Sequence, residues 1–264
     1  MNTLLSVCYD GTAYHGSQVQ QNGITVTEVL QNAIEAVYGQ RLPIKGCSRT
    51  DAGVHANMFC VSFDPQKQMD VDKIPRALNY HLPGDIRVIQ AVIVPEDFHP
   101  RYHSKGKEYV YLVHDSYTDD PFLSNRAYSY RFRIDENYLN QQAQAFVGTH
   151  DFLAFTGSKN TQENTTRTVS YFKVERKGDL VMFTVCADGF LYNMVRIMVG
   201  TLLGLCTGKV KHDIAHIIES KDRSLGGQTA PAHGLYLNRV FYDGVSMAGR
   251  NILGGYSYDQ YHGY

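Results

Sequence analysis

The feature that most constrains the fold is an alternation of strand-like and helix-like patterns along the first hundred residues. The apolar segment 4–10 predicts a strand, and residues 57–63 alternate apolar and polar side chains, as in a strand with one buried face. Residues 85–94 predict a third strand. Between the first two, Thr25 precedes Glu28 by three positions, a spacing that predicts a capped helix start.

The second half of the chain repeats this alternation. Residues 108–114 predict a strand, and residues 135–148 predict a helix closed by the final glycine. Residues 171–185 predict a hairpin that turns at Lys-Gly-Asp. Helices are expected over 190–206 and 213–220. Both halves therefore predict an α+β fold, with sheet on one side and helices on the other.

Three regions follow from these patterns. Residues 1–100 are expected to form an N-terminal α+β domain that carries the candidate catalytic aspartate, and residues 101–245 a C-terminal α+β domain. The boundary falls near residues 94–106, which are rich in proline, charge and histidine. Residues 246–264 form a Gly/Tyr-rich tail without helical or strand periodicity. We interpret this tail as a poorly ordered terminus or a small appendage.

Composition points to a soluble protein. Hydrophobic residues make up 43% of the chain and charged residues 19%, and the net charge is −1, so any nucleic-acid site must come from local clustering. The five scattered cysteines fit a reducing compartment. The most apolar stretch, residues 194–206, is too short for a membrane span, which needs about 20 residues, and predicts a core helix. We therefore expect a cytoplasmic location.

The segment RTDAGVH raises a choice between a turn and a catalytic carboxylate. Asp-Ala-Gly favours a turn, because Asp bonds its own backbone and Gly tolerates positive φ. Arg49 and Asp51 lie two residues apart, so in an extended segment they project to the same side. In a cleft, such an arginine keeps the carboxylate ionised, as nucleophilic catalysis requires.

GCSRTDAGVHA resembles the signature of the tRNA pseudouridine synthase A family, G-x-x-R-T-D-A-G-V-H-A. The other blocks that agree with the family in order and spacing are YDGTAYHG, LNYHLPGDIRV, DFHPRYHSKGKEYVYLV, HDFLAFT, GFLYNMVRIMVGTLLGLCTGK and TAPAHGLYL. The resemblance covers roughly residues 4–242. Several ordered blocks make a much stronger signal than any one of them.

The resemblance implies two ferredoxin-like or RRM-like halves, with antiparallel sheets flanked by helices and an active-site cleft between them. It implies an isomerase that converts uridine to pseudouridine at positions 38–40 of the tRNA anticodon stem-loop. It also implies a homodimer that needs neither cofactor nor metal.

The family's site residues are carried over by motif. Asp51 matches the catalytic aspartate, which attacks or deprotonates the target nucleoside, and Arg49 matches the arginine that orients it. Tyr109 matches the tyrosine that stacks on the target base, and Leu235 an apolar residue that lines the base pocket. Arg196 is expected to pair with Asp51, because a charge in so apolar a helix is costly to leave unpaired. Without the resemblance, Tyr109 is better explained as a core residue. Ordinary core packing is the alternative for Leu235, and a surface position is the alternative for Arg49 and Arg196.

RNA binding is expected from local basic groups. Arg101, Lys105 and Lys107 cluster near Tyr109 in the sequence and are interpreted as substrate-binding. Lys159 and Arg167 flank a polar loop and are further candidates. Each of these residues could instead simply solvate a loop.

Two features depart from or compete with this interpretation. Ser17 stands where the family usually has tryptophan, next to the expected RNA-facing loop, so we expect this departure to affect details of tRNA contact and not the chemistry. His212 and His216 have zinc-ligand spacing, but without a third ligand nearby they read as a solvated helix face. A non-catalytic RNA-binding protein of the same fold and an unrelated hydrolase using Asp51 are the alternatives; the hydrolase would need a second carboxylate.

Overall fold

The structure, a computed structural model, describes residues 2–65, 69–157, 163–252 and 256–259. Its helices and strands in chain order are β1 (Asn2–Tyr9), α1 (Val26–Tyr38), β2 (Lys45–Gly46), β3 (His55–Phe63), α2 (Ile74–His81), β4 (Ile86–Val94), β5 (Ser104–Asp115), β6 (Tyr128–Tyr130), α3 (Glu136–Ala143), β7 (Gly148–Asp151), β8 (Thr166–Lys177), β9 (Leu180–Ala187), α4 (Met194–Cys206), α5 (Ile214–Ser220), β10 (Leu235–Tyr242), β11 (Met247–Arg250) and β12 (Tyr256–Asp259). The mixed α+β class is as predicted. The chain divides into a first unit, Met1–Lys105 with Tyr236–Tyr264, and a second unit, Gly106–Leu235.

The sheet of the first unit is built around β1, which pairs antiparallel with β3 on one side and β4 on the other. The free edge of β3 is shared. Its start pairs in parallel with β10, and its end pairs antiparallel with the short β2. The order β4–β1–β3–β2, with α1 and α2 as crossovers, is the ferredoxin-like arrangement that the resemblance implied.

Helix α1 begins and ends where the sequence indicates. The Thr25 hydroxyl accepts a hydrogen bond from the Glu28 amide, and Gly39 ends the helix with a left-handed φ of 75°. Tyr38 meets Phe63 of β3 edge to face, with ring centroids 5.5 Å apart. The apolar face of α1 therefore covers the side of the sheet that carries the β3 phenylalanines, and the core lies between them.

The opposite face of this sheet is covered by the C-terminal segment. Strand β11 lies across β1, β3 and β4, and it pairs antiparallel with β12. The Ser6 hydroxyl donates to the Ala248 carbonyl at 2.5 Å, and the Ala248 amide donates to the Gln90 side chain at 2.6 Å. All nine residues of β3 are consequently buried, so the prediction of one buried face is wrong. Met247–Arg250 form a strand, so this part of the tail is not a poorly ordered terminus, whereas its alternative interpretation as a small appendage stays a prediction.

The sheet of the second unit has the antiparallel order β5–β9–β8–β7, and β6 pairs in parallel with β5. The β8–β9 hairpin turns at Gly178, which has a φ of 60°, as the sequence indicates. Helix α3 ends at Ala143 rather than at Gly148, because the chain tightens into a 3-10 turn and Gly148 begins β7. A stacked and edge-on cluster of Phe146, Phe155 and Phe172 forms part of the core.

The most apolar helix, α4, starts at Met194, four residues later than predicted, because Asn193 adopts a left-handed φ of 61°. Its 13 residues are mostly buried, as expected of a core helix. Among the residues that the structure describes, no helix combines the length and apolarity needed to cross a bilayer.

The two units divide the chain differently from the predicted boundaries at residues 100 and 245. The first unit also includes the chain from Tyr236 onward, because β10 pairs with β3 and β11 covers the same sheet. Strand pairing between segments so far apart leaves no local signal in the sequence. The unit boundary after Lys105 does lie within the predicted region 94–106.

Candidate active site

Asp51 lies in a turn between β2 and β3. The Val54 amide donates to the Asp51 carbonyl at 3.2 Å, and Gly53 has the left-handed φ of 77° that such a turn requires. The predicted turn is thus present, and the Asp51 side chain is half-buried within it. Arg49, two residues earlier, is exposed, so its guanidinium is accessible to a ligand.

Arg196 lies in the first turn of α4 and is half-buried. Its Nη1 donates to Oδ1 of Asn193 at 2.9 Å, and its Nε donates to the Ala230 carbonyl at 2.8 Å. The Ala230 amide returns a bond to the Arg196 carbonyl at 3.1 Å. These bonds fix both the guanidinium and the helix turn that carries it. Arg196 belongs to the second unit and Asp51 to the first, and the predicted pairing of the two stays a prediction.

The segment around Ala230 reaches Arg196 because α4 carries a glycine one turn further on. A Cβ at Gly200 would lie 1.8 Å from the Gln228 carbonyl oxygen. The Gly227 amide also donates to the Thr201 hydroxyl at 2.9 Å. The absence of a side chain at Gly200 therefore allows the 227–230 backbone to pack directly against the helix.

Tyr109 and Leu235 are both buried. Tyr109 is 6% exposed, lies on β5 opposite Val185 of β9, and meets Phe190 edge to face at 5.1 Å. Leu235 is the first residue of β10 and follows Gly234, where a Cβ would lie 2.6 Å from the Tyr111 ring. A stacking role for Tyr109 requires a base to reach a ring that is largely enclosed.

The predicted basic residues differ in exposure. Arg101 is exposed in the turn before β5, and Lys105 is half-exposed, with its ammonium 2.9 Å from the Asp243 carboxylate. Lys107 is only 8% exposed on β5, so its predicted substrate contact requires a ligand to reach a largely enclosed side chain. Arg167 is partly exposed and donates to the Thr166 carbonyl at 2.6 Å. Lys159 lies outside the described residues.

Comparisons with known proteins agree with the motif resemblance. The sequence profile described as tRNA pseudouridine synthase matches residues 5–103 and 142–243. The tRNA pseudouridine synthase A of Acetivibrio thermocellus is 42% identical over 242 residues, which is 91% of this chain and 99% of that protein. The protein of the same name from Clostridium kluyveri is 41% identical over 244 residues, again with 91% and 99% coverage. The chain belongs to the tRNA pseudouridine synthase A family.

The protein is accordingly a pseudouridine synthase, an isomerase that acts on tRNA uridine. The profile match includes the segments that carry Arg49, Asp51 and Arg196. It leaves out residues 104–141, and with them Tyr109. It also ends at residue 243, so β11 and β12 lie beyond the part of the synthase that the profile describes.

Beside the Asp51 turn, His55 makes polar contacts with Gly11 and Asp10 that the sequence analysis did not predict. Nδ1 of the buried His55 accepts from the Gly11 amide at 3.0 Å when the imidazole carries its proton on Nε2. With the proton on Nδ1, the same atom donates to the Asp10 carboxylate, 3.2 Å away. The His55 hydrogen bond holds the pKa of the Asp10 carboxyl well below its usual range.

This contact brings two sequence motifs together. A Cβ at Gly11 would lie 2.0 Å from the Val54 carbonyl oxygen, so the YDGT segment packs directly on the end of the Asp51 turn. Asp10 and His55 both lie within blocks that carry the family resemblance, which is the signal that could have identified them. Their pairing required the register of β1 and β3.

The synthase residues that the structure describes contain no group of three or more His, Cys, Asp or Glu side chains arranged to hold a metal ion. His212 and His216 are exposed, and their rings stack with centroids 4.5 Å apart. His212 precedes α5, which begins after the capping residue Asp213.

Proposed function

We propose that this synthase converts uridine to pseudouridine at positions 38–40 of the tRNA anticodon stem-loop, with Asp51 as the catalytic nucleophile. The observation that carries the proposal is the RTDAGVH turn, which presents Asp51 in a chain similar along 91% of its length to tRNA pseudouridine synthase A proteins. The position of the uridines follows from the family resemblance.

The reaction is an isomerisation whose atoms balance without a co-reactant. The N1–C1′ bond of the uridine breaks, the uracil turns, and C5 bonds to the same C1′. The proton on C5 is released and N1 takes up a proton. A carboxylate fixed in a turn supplies the nucleophile that holds the reacting nucleoside between these steps.

The other side chains are assigned roles around this carboxylate. Arg49 and Arg196 orient and stabilise the charge of Asp51, since guanidinium groups form strong bonds with carboxylates. Tyr109 stacks on the extracted base, a contact worth about 1–3 kcal/mol. Leu235 lines the base pocket.

Phosphate contacts are assigned to Arg101 and Lys105, which are exposed or half-exposed. These contacts make tRNA affinity fall as salt concentration rises. Lys107, which is about as enclosed as Tyr109 on the same strand, keeps its assignment as a substrate-binding residue.

Tritium release from tRNA labelled with [5-³H]uridine tests the proposal, because the C5 proton leaves only when the new bond forms. We expect release by the wild type and none by Asp51→Ala. Asp97→Ala, which removes an exposed carboxylate elsewhere in the first unit, should retain full activity. Release by both the wild type and Asp51→Ala would reject Asp51 as the catalytic group. If tRNA binds but even the wild type releases no tritium, the non-catalytic alternative holds.

Single uridines placed at position 38, 39 or 40 of otherwise uridine-free anticodon arms test the site assignment. Release from none of these, together with release from uridines elsewhere in the tRNA, would overturn it.

We further propose that the synthase is a cytoplasmic homodimer, in which one subunit recognises the tRNA body and the other supplies the active site. Light scattering of the purified protein tests the assembly. A mass of one chain, 29.8 kDa, at micromolar concentration would contradict it.

A further inference from the structure

Ser17 is a buried residue that contacts the chain directly before Asp51. Its side chain and backbone are 1% exposed. The Thr50 amide donates to the Ser17 hydroxyl at 2.9 Å, and the Ser17 amide donates to the Thr50 carbonyl at 3.1 Å. Both backbone polar groups of Thr50 are thereby bonded to a single residue. The position is enclosed, so it bears on the catalytic turn and not on tRNA contact.

The Thr50 side chain is held from another direction. Its hydroxyl lies 2.9 Å from the hydroxyl of Tyr9, at the end of β1, and both residues are buried. Three hydrogen bonds therefore fix the residue that immediately precedes the catalytic aspartate. Because Asp51 follows by one peptide bond, a shift of Thr50 moves the carboxylate with it.

Residues 16 and 17 are themselves hydrogen-bonded to the start of α1. The Val26 amide donates to the Gly16 carbonyl at 3.2 Å, and the Thr27 amide donates to the Ser17 carbonyl at 3.1 Å. Gly16 has a φ of 86°, and a Cβ there would lie 2.5 Å from the Thr50 carbonyl oxygen. The start of α1, residues 16–17 and Thr50 thus form one continuous bonded path to Asp51.

We propose that Ser17 is a positioning residue for catalysis: its hydroxyl, by accepting the Thr50 amide, sets the placement of the Asp51 carboxylate. The inference rests on the proposed function of Asp51. Removing the hydroxyl leaves a buried amide without its acceptor, and the turn must shift or admit water to satisfy it. A displacement of about 1 Å in a reacting group can cost up to about 100-fold in rate.

The test compares Ser17→Ala with Ser6→Ala. Ser6 is also a buried serine of the first unit, but its hydroxyl bonds the Ala248 carbonyl at the C-terminal segment. Both variants lose one buried hydroxyl, so a merely structural role predicts similar effects. We expect Ser17→Ala to lower the single-turnover rate of tritium release about 10- to 100-fold. The Kd for tRNA should stay within about twofold, and Ser6→Ala should keep the wild-type rate.

Hydrogen exchange supplies a readout independent of activity. The Thr50 amide should exchange faster in Ser17→Ala than in the wild type and remain protected in Ser6→Ala. An unchanged Thr50 exchange rate, a Ser17→Ala rate constant within twofold of wild type, or an equal loss in both variants would overturn the proposal. These outcomes differ from failure of the proposed function, in which the wild type would release no tritium or Asp51→Ala would release it as well.

Discussion

The two segments that carry the proposed catalytic charges are held in different ways. Asp51 lies in a turn whose neighbour Thr50 is bonded to Ser17 and Tyr9, 33 and 41 positions earlier. Arg196 lies in a helix turn and bonds Asn193, three positions earlier, as well as the distant Ala230 carbonyl. The turn is held by hydrogen bonds to residues far away in the sequence, whereas the helix turn is held largely by hydrogen bonds within its own segment.

This difference predicts different sensitivities. The helix should tolerate loss of a single side-chain bond, because its backbone ladder keeps the Arg196 Cα in place. It should not tolerate added volume where another backbone packs on it. The turn should respond to small changes in the polar groups that hold it, because it has no ladder of its own.

The largest expected effect comes from adding a methyl group on the helix side, as Gly200→Ala. Helix propensity alone predicts that this change stabilises α4 by about 1 kcal/mol. The new Cβ would, however, lie 1.8 Å from the Gln228 carbonyl oxygen, and backbone atoms cannot easily move aside. We expect the cost of this steric overlap to exceed the gain in helix propensity, so the free energy of unfolding measured in urea should fall by about 3 kcal/mol.

The matched control is Gly84→Ala, where a Cβ meets nothing within 4 Å. It should unfold within about 0.5 kcal/mol of wild type. A Gly200→Ala protein at least as stable as wild type would show that the 227–230 segment is not packed tightly on α4, which would remove the reason for the fixed Arg196.

The next largest effect tests whether the geometry of the Arg196 guanidinium matters in addition to its charge. In Arg196→Lys the charge is kept, but a single ammonium cannot reproduce the fork that bonds Asn193 and the Ala230 carbonyl in different directions. We expect the single-turnover rate of tritium release to fall about 100-fold, equivalent to about 2.7 kcal/mol.

Asn193→Gly, which removes one of those two bonds and tolerates the left-handed φ of 61°, should cost less than Arg196→Lys, because the Ala230 carbonyl still holds Nε. Equal activity in the wild type and Arg196→Lys would show that only the charge is needed. The fixed geometry described for the helix would then be irrelevant to catalysis.

The same contrast explains which features the sequence could predict. Helix spacing places Asn193 on the same side as Arg196, and the capping pattern at Thr25 marks the start of α1, because both depend on residues three positions apart. The Lys-Gly-Asp turn of the β8–β9 hairpin is likewise local. The Asp51 turn was recognisable from its own residues, although its supports were not.

Features set by long-range pairing were missed. Nothing near residue 247 indicates that β11 covers the first sheet, because the bonds of Ala248 go to Ser6 and Gln90 at the other end of the chain. The burial of Lys107 depends on the position of β5 within the fold and has no local signal in the sequence. The contact between Ser17 and Thr50 joins two loop residues 33 positions apart, and no local pattern indicates it.

The smallest effect concerns the polar support beside the turn. The folded pKa of Asp10 lies below its unfolded value, about 3.9, mainly because of the His55 hydrogen bond. Its contribution to stability is therefore fully present above the unfolded pKa and is lost as pH falls through the folded pKa.

Asp10→Asn removes this titration, so the free energy of unfolding of this variant in urea should decline less steeply than that of wild type between pH 5 and pH 2. The slopes of the free energy of unfolding against pH should differ by at most about 1.4 kcal/mol per pH unit, which corresponds to one proton. Asp97→Asn, at an exposed carboxylate, should follow the wild-type curve, and a parallel decline in Asp10→Asn would mean that the YDGT segment supports the turn through packing alone.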